Sequence, residues 1–325
     1  MSNTSFKNSF LSTPILLIIF NRPDVTIKVF ESIRKAKPQI LYVASDGPRK
    51  EKIEENKIVM QTRKIATAVD WPCKVKTLFR SKNLGCKYSV SGAIDWFFEN
   101  EEQGIILEDD CLPHQDFFYY CETLLNYYKK NNKISIISGS NFKIKDKNNI
   151  DSYYFSKYFC LWGWASWRRA WNFYDRDISF WPSWKYSNDW NERFDDKTQR
   201  EYWNKLFELA HLNKVDTWDY QFLASIWKNN GLAIIPKSNL ISNIGFGKNA
   251  TFNKDKINRL SNFPVKGIGE LVHPSKISQN QNKDRDVFDI FFQGYNLRMP
   301  WIFFGSLRKK IGYLLRKISF YNVKY

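Results

Sequence analysis

A chain of 325 residues is long enough for one large domain with a tail, and 43% hydrophobic residues exclude a disordered or fibrous chain. The formal charge of +17 suits an anionic partner, yet the basic residues spread along the whole chain with no recognised binding motif, against a basic nucleic-acid-binding protein. The five cysteines (Cys73, Cys86, Cys111, Cys121, Cys160) are odd in number and form no C-x-x-C pair, which argues against a disulfide framework or structural zinc and for a reducing cytoplasm.

The first dozen residues are polar. The apolar run Pro14–Phe20 is far shorter than the ~20 residues a bilayer requires, so the chain is expected to be soluble or peripheral. That run reads as a buried strand, and Pro23–Lys37 as a helix opened by Pro and Asp in its first turn. Gln39–Ser45 is a second strand, Lys50–Val69 a mixed-charge helix, Lys74–Phe79 a third strand and Gly85–Asn100 a helix. Gly104–Leu107 is a fourth strand. Gln115–Lys130 follows as a helix with Phe118, Cys121, Leu125 and Tyr128 on one face, and Ile134–Ser138 is a fifth strand. Beyond it, Tyr153–Trp190 is Trp-rich and reads as irregular, Lys197–His211 and Trp218–Asn229 as helices, and Leu232–Ile235 as a strand. The pattern predicts an α/β fold with a doubly wound, mostly parallel sheet. One catalytic domain over residues 1–255 and a basic C-terminal extension over 256–325 are expected.

In such sheets ligands bind beyond the carboxyl ends of the strands. Polar residues stand there after four strands in succession: Asn21-Arg22, Asp46-Gly47, Arg80, and Glu108-Asp109-Asp110. Clustered carboxylates at a strand end suit a hard divalent cation, Mn²⁺ or Mg²⁺, which can bridge the phosphates of a nucleoside diphosphate. An acidic triplet in isolation is more often a solvated turn, and its place after a buried strand is what favours the metal site. Arg22 can reach a phosphate or a base, or form a surface ion pair. Asp46 can accept from a nucleobase or ribose, although Asp-Gly-Pro is also ordinary turn chemistry. Asp219, in the first turn of a helix, is either a routine helix-start acid or the general base for an acceptor hydroxyl.

Ile244–Thr251 reads as a loop able to cover phosphates, with Lys248 and Thr251 as donors, and no P-loop pattern is present. His273 is a candidate extra metal ligand, and the many Trp rings offer sugar platforms as well as core filler.

Laid out in order, these residues resemble the N-acetylglucosaminyltransferases that begin complex N-glycans (α-1,3-mannosyl-glycoprotein 2-β-N-acetylglucosaminyltransferases), and bacterial glycosyltransferases sharing their core. The resemblance runs from about Ile15 to Phe252. It is carried by Asn21-Arg22-Pro23 after the first strand, Ser45-Asp46, Glu108-Asp109-Asp110 with Asp116-Phe117-Phe118, Trp162-Gly163-Trp164, and Trp218-Asp219 with Phe246-Gly247. It implies a GT-A fold and an inverting transfer. By match, Asp110 is the metal ligand, Glu108 and Asp109 lie near the donor sugar, and Arg22 and Asp46 hold the nucleotide, most simply uridine. Lys87 stands where the family has a histidine near the base. Trp218 contacts the donor sugar, Asp219 is the base, and Thr251 replaces a phosphate-contacting serine. Trp162 and Trp164 fall in a sugar-stacking block whose first glycine is replaced here.

The expectation is thus a cytoplasmic, metal-dependent glycosyltransferase, peripheral on the inner face of a membrane. Its donor would be a nucleotide-diphosphate sugar such as UDP-GlcNAc, and its acceptor a glycan or lipid-linked sugar of a bacterial surface polysaccharide. A sugar-nucleotide nucleotidyltransferase is the rival enzyme, but it requires a basic Gly-rich loop just after the first strand, where this chain has Asn-Arg-Pro-Asp. The segment from Arg298 to Tyr325 carries cations and apolar residues but no acid, and reads as a membrane-surface element or as packing on the domain.

Overall fold

The computed structural model describes residues 10–142, 150–246 and 260–298. Its first half follows the alternating pattern closely. Strand β1 (Ile15–Ile19) leads through α1 (Pro23–Ala36) to β2 (Ile40–Ser45), then through α2 (Glu55–Ala66) to β3 (Lys74–Phe79). Helix α3 (Gly85–Asn100) returns the chain to β4 (Gln103–Glu108). Helix α1 has Pro at its first position, where no N–H is needed, and ends at Lys37 in the left-handed conformation. Helix α2 starts five residues later than the sequence suggests. The Glu55 carboxylate is buried and accepts the Arg49 backbone N–H at 2.7 Å, which holds residues 49–54 as a loop.

After β4 come the short β5 (Cys111–Pro113), α4 (Asp116–Tyr127) and β6 (Ile134–Ser138). The Trp-rich stretch is less irregular than its sequence suggests. It contains β7 (Tyr153–Ser156) and β8 (Trp164–Trp167), too short for a period to show, and then α5 (Arg168–Trp171), α6 (Trp181–Trp184) and α7 (Asn188–Glu192). Helices α8 (Lys197–His211) and α9 (Asp219–Lys228) precede β9 (Leu232–Pro236) and β10 (Ile241–Asn243), and α10 (Gln281–Ile290) lies near the end.

Eight strands form one sheet in the order β3-β2-β1-β4-β8-β6-β9-β7, and β10 pairs with β5 in a separate ribbon. Strands β1, β2, β3 and β4 run parallel, as do β6 and β9, whereas β8 and β7 are antiparallel insertions. The fold class is α/β, as expected. Alternation along β1 feeds both faces: Ile15, Leu17 and Ile19 join the core under α1 and α4, and Leu16 and Ile18 join that under α3 and α9.

A third core lies beside the sheet, where Trp181, Trp184, Trp190, Trp203 and Trp227 interlock with Phe207 and Phe288. Residues 260–298 fold back onto this body, adding Ile268 and Phe288 to its cores. The expected domain boundary at residue 255 lies outside the described residues.

The strand order reverses between β1 and its two neighbours. The chain builds outward through β2 and β3, then β4 docks on the other side of β1. Such a switch point opens a crevice beyond the carboxyl ends of the two central strands.

Candidate active site

Arg22 emerges beyond β1 and Glu108-Asp109-Asp110 at the end of β4, so both flank that crevice. The Arg22 guanidinium donates to an Asp109 oxygen and, at 2.9 Å, to Asp110 Oδ2. Asp109 is almost fully buried, and its second oxygen accepts the Phe20 backbone N–H at 3.2 Å. Burial works against the charge of Arg22, but the two aspartates outweigh it and raise its pKa. Among the described residues, these three carboxylates share Arg22 as their close cation. Burial, then Asp110 and Asp109, push Glu108 up to about 8, and burial pushes Asp109 up to about 6 although Arg22 opposes it.

The ribbon of β5 and β10 seals this cluster. The Ile244 N–H donates to the Asp110 carbonyl at 2.9 Å, and the Asn243 side chain accepts from the Gly245 N–H at 2.9 Å. Gly245 lies directly on the pair. A Cβ there would run into an Asp110 carboxylate oxygen and would stand 2.6 Å from the Arg22 guanidinium. The loop beyond Phe246 carries Lys248 and Thr251, which lie outside the described residues.

On the opposite face, Asp219 opens α9. Burial raises its pKa, although the Thr217 hydroxyl and the Tyr220 N–H (2.9 Å) both donate to its carboxylate. It is near enough to Glu108 to help raise that carboxyl too. The half-buried Cys86 thiol reports the same crowding: after burial, its pKa is raised by Glu108, Asp216, Asp219 and Asp46 in that order.

Asp46 takes a more structural position than expected. Its Oδ1 accepts from the Gly47 N–H at 2.9 Å and both oxygens accept from Leu84 N–H at 3.0 Å, so it ties the end of β2 to the start of α3. Burial raises its pKa against those bonds and Arg80. Arg63, which the sequence did not single out, clamps the same corner by donating to the Asp46 and Arg80 carbonyls at 3.0 and 2.7 Å.

The remaining expected site residues take the following places. Lys87 is 3% exposed, and its ammonium is taken by Asp177 at 2.9 Å and by Asn213, leaving no face for a base. Trp164 is 1% exposed, with its ring against Trp218 and Phe222, so it cannot serve as a sugar platform. Trp218 is enclosed in the same stack and seats the first turn of α9 rather than offering a ring face. Trp162 differs: it is half-buried, in edge contact with Phe142 and Phe246. His273 bonds the Tyr153 hydroxyl at 2.7 Å and stacks on Tyr127, so it is engaged in a structural pairing. Asp116 likewise accepts the Ile268 N–H at 2.9 Å and ties down the returning chain.

Among the described residues no three His, Cys, Asp or Glu side chains converge as a ready metal cage. The donor set at Asp110 is nevertheless the right kind. Its Oδ2 meets Arg22, while among the described residues Oδ1 has the weak Cys111 thiol at 3.4 Å. One or two carboxylates plus phosphate oxygens and water suffice for Mg²⁺-type binding. The residues fit such a cation.

The chain is similar in fold to a UDP-glucose pyrophosphorylase solved with UDP-glucose, at 9% identity over 41% of this chain and 65% of that chain, TM-score 0.25. It thus spans just under two thirds of that protein. It is also similar to a 4-diphosphocytidyl-2C-methyl-D-erythritol synthase from Anaerococcus prevotii, at 12% identity over 66% of this chain and 98% of that one, TM-score 0.29. Likeness at this level carries no argument about activity. No family model and no curated protein matches the chain.

Proposed function

We propose that the chain is an inverting glycosyltransferase that moves a sugar from a nucleoside-diphosphate donor to a hydroxyl of a glycan or lipid-linked acceptor. The observation that carries this reading is a charge arrangement. An under-compensated carboxylate cluster stands at the β1/β4 switch point, and one separate, raised-pKa carboxylate, Asp219, stands across from it. A direct displacement needs a place to hold a cation that stabilises the leaving diphosphate, and one base to take the acceptor proton.

Asp110 would hold the Mn²⁺ or Mg²⁺, with Asp109 fixed by Arg22 behind it; the cation supplies positive charge to the departing nucleoside diphosphate. Arg22 orients Asp110 and can turn to a donor phosphate. Asp219 takes the proton from the acceptor hydroxyl, and its desolvation strengthens it as a base relative to an exposed aspartate. Glu108 would face the donor sugar with Asp109 behind it, Asp46 would lie at the nucleotide edge, Thr251 would meet the phosphates, and Trp162, half-buried, would offer its ring to the acceptor. A uridine donor such as UDP-GlcNAc and a bacterial surface polysaccharide follow from the sequence resemblance alone. No helix among the described residues is long and apolar enough to cross a membrane. Attachment to an anionic membrane is proposed for the basic segment beyond Arg298, whose residues 299–325 lie outside the described ones. Arg298 itself is paired with Asp196 and Asp289, so it is not one of the anchoring cations.

Thermal shifts with UDP-sugars and with UTP, each with and without Mn²⁺, test the reading, because a ligand that binds only the folded state raises its stability. A UDP-sugar is expected to stabilise the protein only with the metal, and Asp110→Ala is expected to lose that increment while folding normally. A metal-dependent shift with UTP and none with any UDP-sugar would support a nucleotidyltransferase instead.

A further inference from the structure

The N-terminus of α3 is fastened to a loop far away in sequence. The Cys86 and Lys87 backbone N–H groups donate to the two oxygens of Asp216, at 3.2 and 2.9 Å across about 130 residues. The buried Lys87 ammonium reaches the Asn213 side chain of the same loop. The stretch between α8 and α9 is thereby held to α3 at its first turn and again three residues before Asp219. The intervening Thr217 gives its hydroxyl to the Asp219 carboxylate.

Gly85 makes the seat possible. Its φ is +79°, which disfavours any other residue, and a Cβ there would stand 3.2 Å from Asp216 Oδ2. A carboxylate on helix-start N–H groups is a charge-assisted contact aligned with the helix dipole. Asp216 is therefore engaged through both oxygens and is poorly disposed to act as a base itself.

We infer that Asp216, seated on Gly85–Lys87, is a positioning residue that fixes the reach of Asp219 into the crevice. The inference rests on the reading of Asp219 as the base. Without the seat, residues 213–217 keep only the Lys87–Asn213 contact to α3, and Thr217, whose hydroxyl fixes the Asp219 carboxylate, is free to shift while Trp218 stays packed. Misplacing a catalytic group by about 1 Å costs on the order of tenfold to a hundredfold in rate.

The experiment compares Asp216→Ala, Asp216→Asn, Gly85→Ala, the double variant Gly85→Ala/Asp216→Ala, and Asp219→Asn in the full chain. Turnover is read with UDP-GlcNAc, by transfer or by donor hydrolysis, alongside amide hydrogen exchange. Asp216→Ala and Gly85→Ala are each expected to speed exchange at Cys86, Lys87 and residues 217–220 while the strands stay protected. Each should lower kcat about tenfold or more, with the donor KM within about twofold. Asp216→Asn should recover part of kcat, since an amide oxygen still accepts one N–H. The double variant should be no worse than Asp216→Ala, because both changes break one contact. Unchanged exchange at 217–220 in Asp216→Ala overturns the inference whatever the activity. Normal kcat in Asp216→Ala beside a dead Asp219→Asn overturns it while sparing the base. Normal turnover in Asp219→Asn removes the base, and the inference with it. A loss in Asp216→Asn as deep as in Asp219→Asn would make Asp216 the base and also overturn it.

Discussion

Asp219 and Glu108 show how residue-scale context decides the role of a carboxylate. Each sits where sequence alone allows an ordinary surface acid, yet burial raises the pKa of both. Only Asp219 has donors arranged to keep it ionised and aimed, the Thr217 hydroxyl and the Tyr220 N–H. Asp219→Asn is expected to cut turnover by about 10²-fold or more, with donor affinity little changed, as for loss of a general base. In the wild type, kcat/KM should rise with pH through an acid limb lying above the usual aspartate range. That limb would belong to Asp219, whose raised pKa comes from burial. A variant with near-normal turnover, or a limb at the ordinary aspartate pKa, would place the base elsewhere.

At the scale of elements, the parallel half of the sheet was legible because β1, β2 and β4 are mainly apolar runs, β3 mixes Lys and Thr with apolar residues as an edge strand does, and the helices between them carry apolar faces. The acidic triplet and Arg22 were legible for the same reason: a strand end is where polar residues first return. What stayed hidden were contacts between distant segments. Nothing near Lys87 signals that Asn213 and Asp177 will take its charge, and nothing near Gly245 signals that it will cover Asp110. The strands Tyr153–Ser156 and Trp164–Trp167 escaped because four residues show no period. The tryptophans misled in a definite direction. Trp190, fully buried, packs on Trp181 at 5.0 Å and Trp184 at 4.7 Å and donates its indole N–H to Asn204 at 2.7 Å. Trp190→Ala is therefore expected to cost about 3–5 kcal/mol in a denaturation experiment. Trp162→Ala, half-buried, should cost much less, so equal losses would contradict the division between fully buried and half-buried tryptophans.

For the whole molecule, a chain of net charge +17 crowds three carboxylates at the end of β4, where among the described residues Arg22 is their close cation. Under the proposed function, the outer field would draw phosphate-bearing ligands in, while the inner carboxylates would repel them until a cation intervened. This opposition has a measurable cost in the free protein. Glu108 ordinarily titrates near 4.5 and is pushed up to about 8, and Asp109 moves from 3.8 to about 6. Between each ordinary and raised value the unfolded chain has released a proton that the folded chain keeps, so stability falls as pH rises. The contribution is greatest below about pH 4 to 5, is lost progressively up to about 8, and is constant beyond. Other groups also titrate in this range, so the decisive comparison is with Glu108→Gln, which removes the larger of the two shifts. The wild-type melting temperature is expected to drop by a few degrees more than that of the variant between pH 5 and pH 8. Mn²⁺ with a UDP-sugar should recover the loss most at pH 8, where the carboxylates are closest to full ionisation. Parallel pH curves for the two proteins would show that the crowding at β4 is relieved without a cation, and would remove the main reason for placing one at Asp110.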